Sequence, residues 1–186
     1  MKRVIITPPV LAPAALAELK DWLAITTPRE DAALTQLLRA ALEMCEAFTG
    51  RMPLAAECEE VLPACPSTSS GWQTLATRPI GAVTGVEGIP AEGARFALAA
   101  ADYAIELTAD GGALVRILRQ GSAGRVAVRF TAGTAAAWPD LPEGIRHGVL
   151  RLAAHHYRQR ESDPVQTVPP AAVAALWRPW RLMRLA

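Results

Sequence analysis

The chain has 186 residues, of which 51% are hydrophobic, and its formal net charge at pH 7 is +1. This length suits one domain, or one domain with an appendage, and the near-zero charge excludes a global attraction to nucleic acid or to an acidic membrane. The three cysteines lack C-x-x-C spacing, which argues against a disulfide framework and favours a reducing cytoplasm. No run approaches the ~20 apolar residues of a membrane span, so we expect a soluble protein without membrane association.

The first third of the chain predicts two helices. Residues 1–12 are expected to be extended, because a pair of prolines prevents a helix from starting there. The apolar period that follows predicts helices at 13–25 and 31–48. Thr27 and Glu30 stand at the spacing of a capping box, which marks the start of the second helix. The short link between the two helices favours an antiparallel pair.

The middle of the chain, from about 57 to 132, has the composition of short strands and turns. Prolines, glycines and serines separate short apolar pieces, and the run 109–112 predicts a hairpin turn. The acids Glu59, Glu60 and Asp102 are interpreted as solvated charges. The strand candidates are 59–62, 72–76, 80–86, 103–107, 113–118 and 126–131. We therefore expect a small antiparallel β module between helical segments.

A third helix is predicted at 140–160, after a strand that ends at Gly133. Asp140 is a candidate cap for this helix and Pro142 suits its first turn, and apolar residues at helical spacing give it one buried face. The predicted fold class is α+β: an antiparallel helical bundle with an inserted small antiparallel β module and an extended C-terminal helical tail.

The C-terminal segment combines a proline-rich linker with a tail rich in Trp and Arg, and no acid follows Asp163. The candidate binding residues of the tail are Leu176, Trp177, Arg178, Trp180, Arg181, Leu182, Met183, Arg184 and Leu185. Three interpretations are open: the tail folds back onto its own domain, lies on a membrane, or anchors in a partner protein. We favour the partner, because Trp and Arg are enriched at binding hot spots and the linker lets the tail reach away from its domain.

Candidate catalytic and metal-binding residues form no recognisable pattern. His147, His155 and His156 lack the i, i+4 spacing of a zinc site on a helix. Cys45 falls in the apolar stripe of the second helix, and no signature of a cysteine nucleophile surrounds it. The glycines of 81–88 match neither a dinucleotide-binding pattern nor a P-loop. The sequence therefore predicts no catalytic residue, no metal site and no cofactor, and it contains no recognisable DNA-binding motif.

Several short motifs follow one another in a characteristic order over about residues 13–161. They are Lys20-Asp21-Trp22-Leu23, Thr49-Gly50-Arg51, Arg78-Pro79-Ile80 with Val83 and Val86, Asp102-Tyr103, Val126, Val128, Phe130, Ala132 and Gly133, Pro142, and Tyr157, Arg160 and Glu161. In this order they resemble the head–tail connector (adaptor) proteins of long-tailed bacteriophages and of phage-derived gene transfer agents.

The resemblance implies a non-enzymatic structural protein of a virion or gene transfer agent particle, made in the bacterial cytoplasm and located at the head–tail junction. It implies a ring, typically a dodecamer, beneath the portal protein. The ring would extend the channel for double-stranded DNA without sequence-specific binding and would dock a downstream stopper or tail protein. In this family C-terminal segments engage the portal, which agrees with the interpretation of the Trp/Arg tail.

The resemblance also implies a division of the chain. An extended N-terminus at 1–12 precedes a connector domain at 13–162, and a proline linker with a C-terminal anchor follows at 163–186. Two alternatives remain open. One is a small soluble α+β ligand-binding or enzymatic domain, with a pocket lined by His155, Tyr157 or Cys58. The other is a different head-completion or tail-completion protein.

Overall fold

A computed structural model of the protein describes residues 3–65, 70–159 and 168–182. Within these residues the chain forms eight strands in two antiparallel sheets, together with four helices. The predicted fold class, a helical bundle with a small β module and an extended C-terminal helical tail, is therefore wrong. The β part is larger than expected, and the C-terminal helix packs on the helix before it instead of extending away.

The chain divides into two compact units, which we call the β unit and the helical unit. The β unit consists of 1–9 and 55–133, and the helical unit consists of 10–54 and 134–186. Most of the β unit is thus inserted into the sequence of the helical unit. The N-terminal strand, which precedes the first two helices in the sequence, also belongs to the β unit.

The β unit contains both sheets. Along the chain the strands are β1 (Arg3–Thr7), β2 (Ala56–Pro63), β3 (Trp72–Thr74), β4 (Ile80–Pro90), β5 (Phe96–Ala97), β6 (Tyr103–Leu107), β7 (Ala113–Ile117) and β8 (Ala123–Ala132). The larger sheet has the order β1-β2-β8-β4-β5, and the smaller has the order β3-β7-β6. Val126, Val128 and Phe130 of the central strand β8 are fully buried, as their alternation predicts. β6 and β7 form the hairpin that the run 109–112 predicts.

The expectation that Glu59 and Glu60 are solvated is wrong. Glu60 is fully buried, and its carboxylate accepts hydrogen bonds from the backbone N–H groups of Ala76 and Thr77, both at 2.9 Å, and from the Thr77 hydroxyl at 2.6 Å. Glu59 is only 8% exposed and accepts hydrogen bonds from Arg95 at 2.9 and 3.0 Å. These donors compensate for the loss of water around the two carboxylates. Both acids therefore hold neighbouring segments of the β unit together by hydrogen bonds.

The helical unit contains the four described helices; three overlap the helices predicted at 13–25, 31–48 and 140–160, and the fourth falls in the predicted C-terminal helical tail. They are α1 (Pro13–Leu23), α2 (Asp31–Thr49), α3 (Glu143–Arg158) and α4 (Ala171–Trp177). Their apolar faces share one core with Trp138, which precedes α3 and is fully buried. The indole Nε1 of Trp138 donates a hydrogen bond to Glu18 on α1 at 3.2 Å, so this large side chain is packed without leaving its polar atom unpaired.

The capping signals predicted at two helix starts act differently in the structure. Thr27 precedes a 3-10 turn at Pro28–Glu30, and its side chain forms no capping hydrogen bond. Asp140 lies in a second 3-10 turn, Trp138–Asp140, so Pro142 occupies the position before α3. Proline is favoured at such starts because its fixed φ is already helical and its missing N–H has no partner to lose.

Candidate partner-binding surface

The C-terminal helix α4 lies in a notch that two glycines open on α3. Gly144 and Gly148 are four residues apart and therefore lie on one face of that helix. A Cβ atom added to Gly148 would lie 2.2 Å from Nε1 of Trp177, and one added to Gly144 would lie 3.2 Å from the carbonyl oxygen of Leu176. A Cβ at Gly148 would push the Trp177 indole away, whereas a Cβ at Gly144 would require a shift of only a few tenths of an ångström.

Trp177 fastens α4 to the rest of the helical unit. Its side chain is fully buried, and its Nε1 donates a hydrogen bond to the carbonyl oxygen of Ile145 at 3.3 Å. Its ring packs against Phe48 of α2, with the ring centres 6.1 Å apart, and Val173 one turn earlier on α4 is also buried. Complete burial of a large apolar side chain stabilises by about 3 kcal/mol, so α4 is an integral part of the core.

The segment after α4 is held by the end of α2. The backbone N–H of Leu182 donates a hydrogen bond to the carbonyl oxygen of Thr49 at 2.8 Å. The guanidinium of Arg181 lies over the Phe48 ring, 5.4 Å from its centre. Gly50 ends α2 with a φ of 72°, a left-handed conformation that glycine adopts without strain. The end of α2 is thus a docking point for the chain's own C-terminal segment.

The side chains that remain on the outside of this segment define what we call the C-terminal surface: Arg178, Trp180, Arg181 and Leu182. The two arginines are exposed, and Trp180 and Leu182 are half-buried. Among the residues that the structure describes, neither arginine has an ion-pair partner. A cavity of about 170 Å³, lined by Phe48 and several apolar neighbours, lies beside Arg181. The surface therefore offers two cations and an aromatic edge to a partner.

The structure divides the predicted tail residues into three groups. Trp177 lies in the core and Leu176 is half-buried, while Arg178, Trp180, Arg181 and Leu182 form the C-terminal surface. The third group lies outside the described residues: Met183, Arg184 and Leu185. Binding of a partner by these residues stays a prediction. The close packing of α4 depends on the glycine pair of α3, a signal that analysis of the tail alone overlooks.

In the β unit, the residues that carry the family resemblance join neighbouring strands. Arg78 forms an ion pair with Asp110 in the turn between β6 and β7. The backbone N–H of Gly133 donates a hydrogen bond to the carbonyl oxygen of Pro79 at 3.0 Å, and this bond fastens the end of β8 to the start of β4. The Arg-Pro and Ala-Gly motifs therefore have structural roles inside the β unit.

In the helical unit, the resemblance residues likewise make internal contacts. The Thr49 hydroxyl donates a hydrogen bond to the carbonyl oxygen of Cys45 at 2.7 Å, and the Arg51 N–H donates one to the Thr49 hydroxyl at 3.2 Å. Tyr157 donates a hydrogen bond from its hydroxyl to Glu30, which links α3 to the turn before α2. Arg160 and Glu161 lie outside the described residues.

The histidines and cysteines are not assembled into a reactive site in the described part of the chain. Burial raises the pKa of the Cys45 thiol to about 12, so the nucleophilic thiolate is scarce at neutral pH. Cys58 is buried in the β unit, and the His147 ring packs edge-on against Trp22, 5.2 Å between centres. Residues 3–65, 70–159 and 168–182 contain no group of three His, Cys, Asp or Glu that could hold a metal, and no helix long and apolar enough to cross a membrane.

The chain is similar over its whole length to components of solved gene transfer agent (GTA) particles. A chain of the neck of an empty GTA particle, computed with C6 symmetry, matches with a TM-score of 0.80 and 29% identity, over 100% of this chain and 98% of that chain. A chain of the native GTA virion matches with a TM-score of 0.76 and 28% identity, again over 100% and 98%. A chain of the native GTA neck, computed with C12 symmetry, matches with a TM-score of 0.74 and 29% identity, over 98% and 97%. No family model and no curated protein matches the chain.

Proposed function

We propose that this chain is a non-enzymatic structural protein in the neck of a gene transfer agent or related phage-like particle. The observation that carries the proposal is the match to a neck chain over 100% of this chain and 98% of that chain, at 29% identity. Both units and the C-terminal helix fall within this match. The proposal therefore rests on the complete fold and on sequence, and not on one shared motif.

Within the neck, the role we propose is that of a head–tail connector. Copies of the chain form a ring, a dodecamer, below the portal protein, and the ring extends the channel for double-stranded DNA. The similar neck structures were computed with C6 and C12 symmetry, which supports a ring. A head-to-tail ring closes when each subunit presents two different complementary surfaces. The face away from the portal then docks a downstream stopper or tail protein.

The C-terminal surface is the portal contact that we propose. Arg178 and Arg181 are exposed without ion-pair partners among the described residues, and Trp180 lies half-buried between them. Tryptophan and arginine are the residue types most enriched at interface hot spots. Trp177 has a different role in this proposal. Because it is buried in the helical unit, it positions the surface and does not itself enter the partner.

Binding to purified portal protein tests the contact. The double variant Trp180→Ala/Arg181→Gln should weaken portal binding by at least about tenfold, because truncation of a hot-spot residue costs about 2 kcal/mol or more. The matched control is Trp72→Ala/Arg116→Gln, a Trp–Arg pair in the β unit whose guanidinium lies 4.8 Å from the indole centre. Equal binding by the C-terminal variant and the wild type would exclude this surface as the portal contact.

Cross-linking mass spectrometry on purified particles tests the neck assignment itself. We expect links between two copies of the chain and links from the C-terminal segment to the portal protein. Links between copies together with links only to tail components would instead indicate a different head-completion or tail-completion protein. Absence of the chain from particles would refute the neck proposal.

A further inference from the structure

A second cavity of the helical unit is lined by cationic and aromatic side chains, and the proposed portal contact does not use it. Its volume is about 230 Å³, and α1, α3 and α4 supply its walls. We call it the basic cavity and define it by Trp22, Arg151, His155 and Arg158. Cavities that enclose a drug-sized ligand measure ~300–1,000 Å³, so this one fits a small group, either free or at the end of a larger molecule.

Among the residues that the structure describes, no acid balances the two arginines of the basic cavity. Arg151 and Arg158 are exposed and lie two helical turns apart on α3, about 10 Å along its axis. Among the described residues, neither guanidinium forms an ion pair or a side-chain hydrogen bond, and no acidic residue lines the cavity. Two cations on one side of α3, with no acid among the described lining residues, favour an anionic ligand.

His155 adds an independent sign of a missing ligand. Its Nε2 atom is buried and has no hydrogen-bond partner among the described residues, and the residue lies between the two arginines on the same side of α3. A buried polar atom without a partner loses its bonds to water and gains nothing in return. Nε2, when it carries a proton, would donate a hydrogen bond to an oxygen of a bound anion.

We propose that the basic cavity binds a phosphate group, and that in the particle this phosphate belongs to the backbone of duplex DNA. Guanidinium groups form strong charge-assisted hydrogen bonds to phosphate oxygens, and two of them line this cavity beside a histidine. Arginine contacts to phosphate carry no sequence information and are weakened by salt. Such contacts hold DNA without recognising a sequence. The choice of DNA as the source of the phosphate rests on the proposed neck function, whereas the phosphate site itself does not.

The exposed indole of Trp22 fits the same ligand. Its side chain is 44% exposed, an unusual state for so large an aromatic, and it lines the cavity. An aromatic face beside two guanidinium groups gives the apolar part of the sugar next to the bound phosphate a surface to pack on.

Two titrations of the full-length protein test the proposal. Fluorescence anisotropy at low salt measures binding of a short labelled DNA duplex by the wild type and by Arg151→Gln/Arg158→Gln. The matched control is Arg29→Gln/Arg39→Gln, which removes the same charge from two other exposed arginines. In the second titration, the NMR signal of the His155 imidazole is followed as inorganic phosphate is added, with sodium polyglutamate as a carboxylate probe.

The proposal predicts that Arg151→Gln/Arg158→Gln weakens duplex binding by at least about tenfold and lowers the slope of log K against log salt by about one, because one phosphate contact is lost. The control variant should change the affinity less than twofold, and phosphate should shift the His155 signal. If both double variants lost the same amount of affinity for the duplex, the attraction would be non-specific and the proposed site would be refuted.

The remaining outcomes separate the two parts of the proposal. A phosphate-dependent shift of His155 without any change in duplex binding would show a site for free phosphate and overturn the DNA assignment. A shift with polyglutamate alone would overturn the phosphate assignment in favour of an acidic protein partner. All of these measurements use the isolated protein and do not depend on its place in a particle. Failure of the phosphate proposal can therefore be distinguished from failure of the neck proposal.

Discussion

Replacement of Gly148 by alanine should destabilise the helical unit, although alanine favours a helix over glycine by about 1 kcal/mol. The added Cβ would lie 2.2 Å from Nε1 of Trp177 and under 3 Å from two further atoms of the indole. Overpacking of this kind costs about 1–3 kcal/mol, and displacement of the indole also breaks its hydrogen bond to Ile145, worth about 1 kcal/mol. We expect a net loss of about 2 kcal/mol in the free energy of unfolding.

Urea denaturation followed by circular dichroism measures this change, and two controls isolate its cause. Gly144→Ala makes the same substitution one turn earlier, where the nearest atom is 3.2 Å away, and should leave stability almost unchanged. In a Trp177→Leu background the steric conflict is absent, so Gly148→Ala should become neutral or stabilising by up to about 1 kcal/mol. If Gly148→Ala stabilises the wild-type protein by that amount, α4 does not occupy the notch in solution.

Two further predictions concern titrating groups. Iodoacetamide at pH 8 should label the exposed Cys65 of the native protein and spare Cys45, whose pKa burial raises to about 12; rapid labelling of Cys45 in a mass spectrum would show that α2 opens readily. His156 should make the protein less stable in acid, because burial and then the neighbouring charge of His155 lower its pKa from the usual 6.5. Below pH 6.5 the unfolded chain binds this proton more readily than the folded one, so the melting temperature should fall between pH 7.5 and 5.5. The fall should be smaller in His156→Gln, and an equal fall would assign the effect to other groups.

The helices were the more predictable part of the fold, because their signals are local. Leu34, Leu38, Ala41 and Cys45 lie on the predicted apolar stripe of α2, and all four are buried. Gly50, a residue type that favours the end of a helix, follows the last residue of α2. Residues three and four apart on a helix share a face whatever the rest of the chain does, so the period alone identifies the buried side.

The extent of the sheets was harder to predict, because strand pairing is non-local. β1 reads from sequence only as an extended segment, and its partner β2 begins about fifty residues later, with Val4 opposite Glu59. The burial of Glu60 depends on backbone donors at Ala76 and Thr77 in a different segment. Neither partner is visible in the residues around the acid, so a solvated carboxylate was the natural but incorrect expectation.

The candidate surface also depends on non-local contacts that the sequence does not reveal. The composition of the tail suits both a partner anchor and a docked helix, since tryptophan and arginine serve in both. The deciding features lie elsewhere: Gly144 and Gly148 on α3 form the notch, and Trp177 and the carbonyl oxygen of Leu176 lie against it. The four-residue spacing of the glycines is visible in the sequence, but their match to α4 becomes apparent only in the folded chain.

The insertion of the β unit sets the order in which the protein is completed during synthesis. The strands of the β unit have all emerged by residue 133, whereas α3 and α4 follow in 134–186. Domains fold as units as the chain leaves the ribosome, so the β unit has its full set of partners while α1 and α2 still wait for theirs. Chains that stop early would carry finished sheets but neither the C-terminal surface nor the core that supports it. The C-terminal surface, and with it the proposed portal contact, is therefore the last part of the fold that a nascent chain completes.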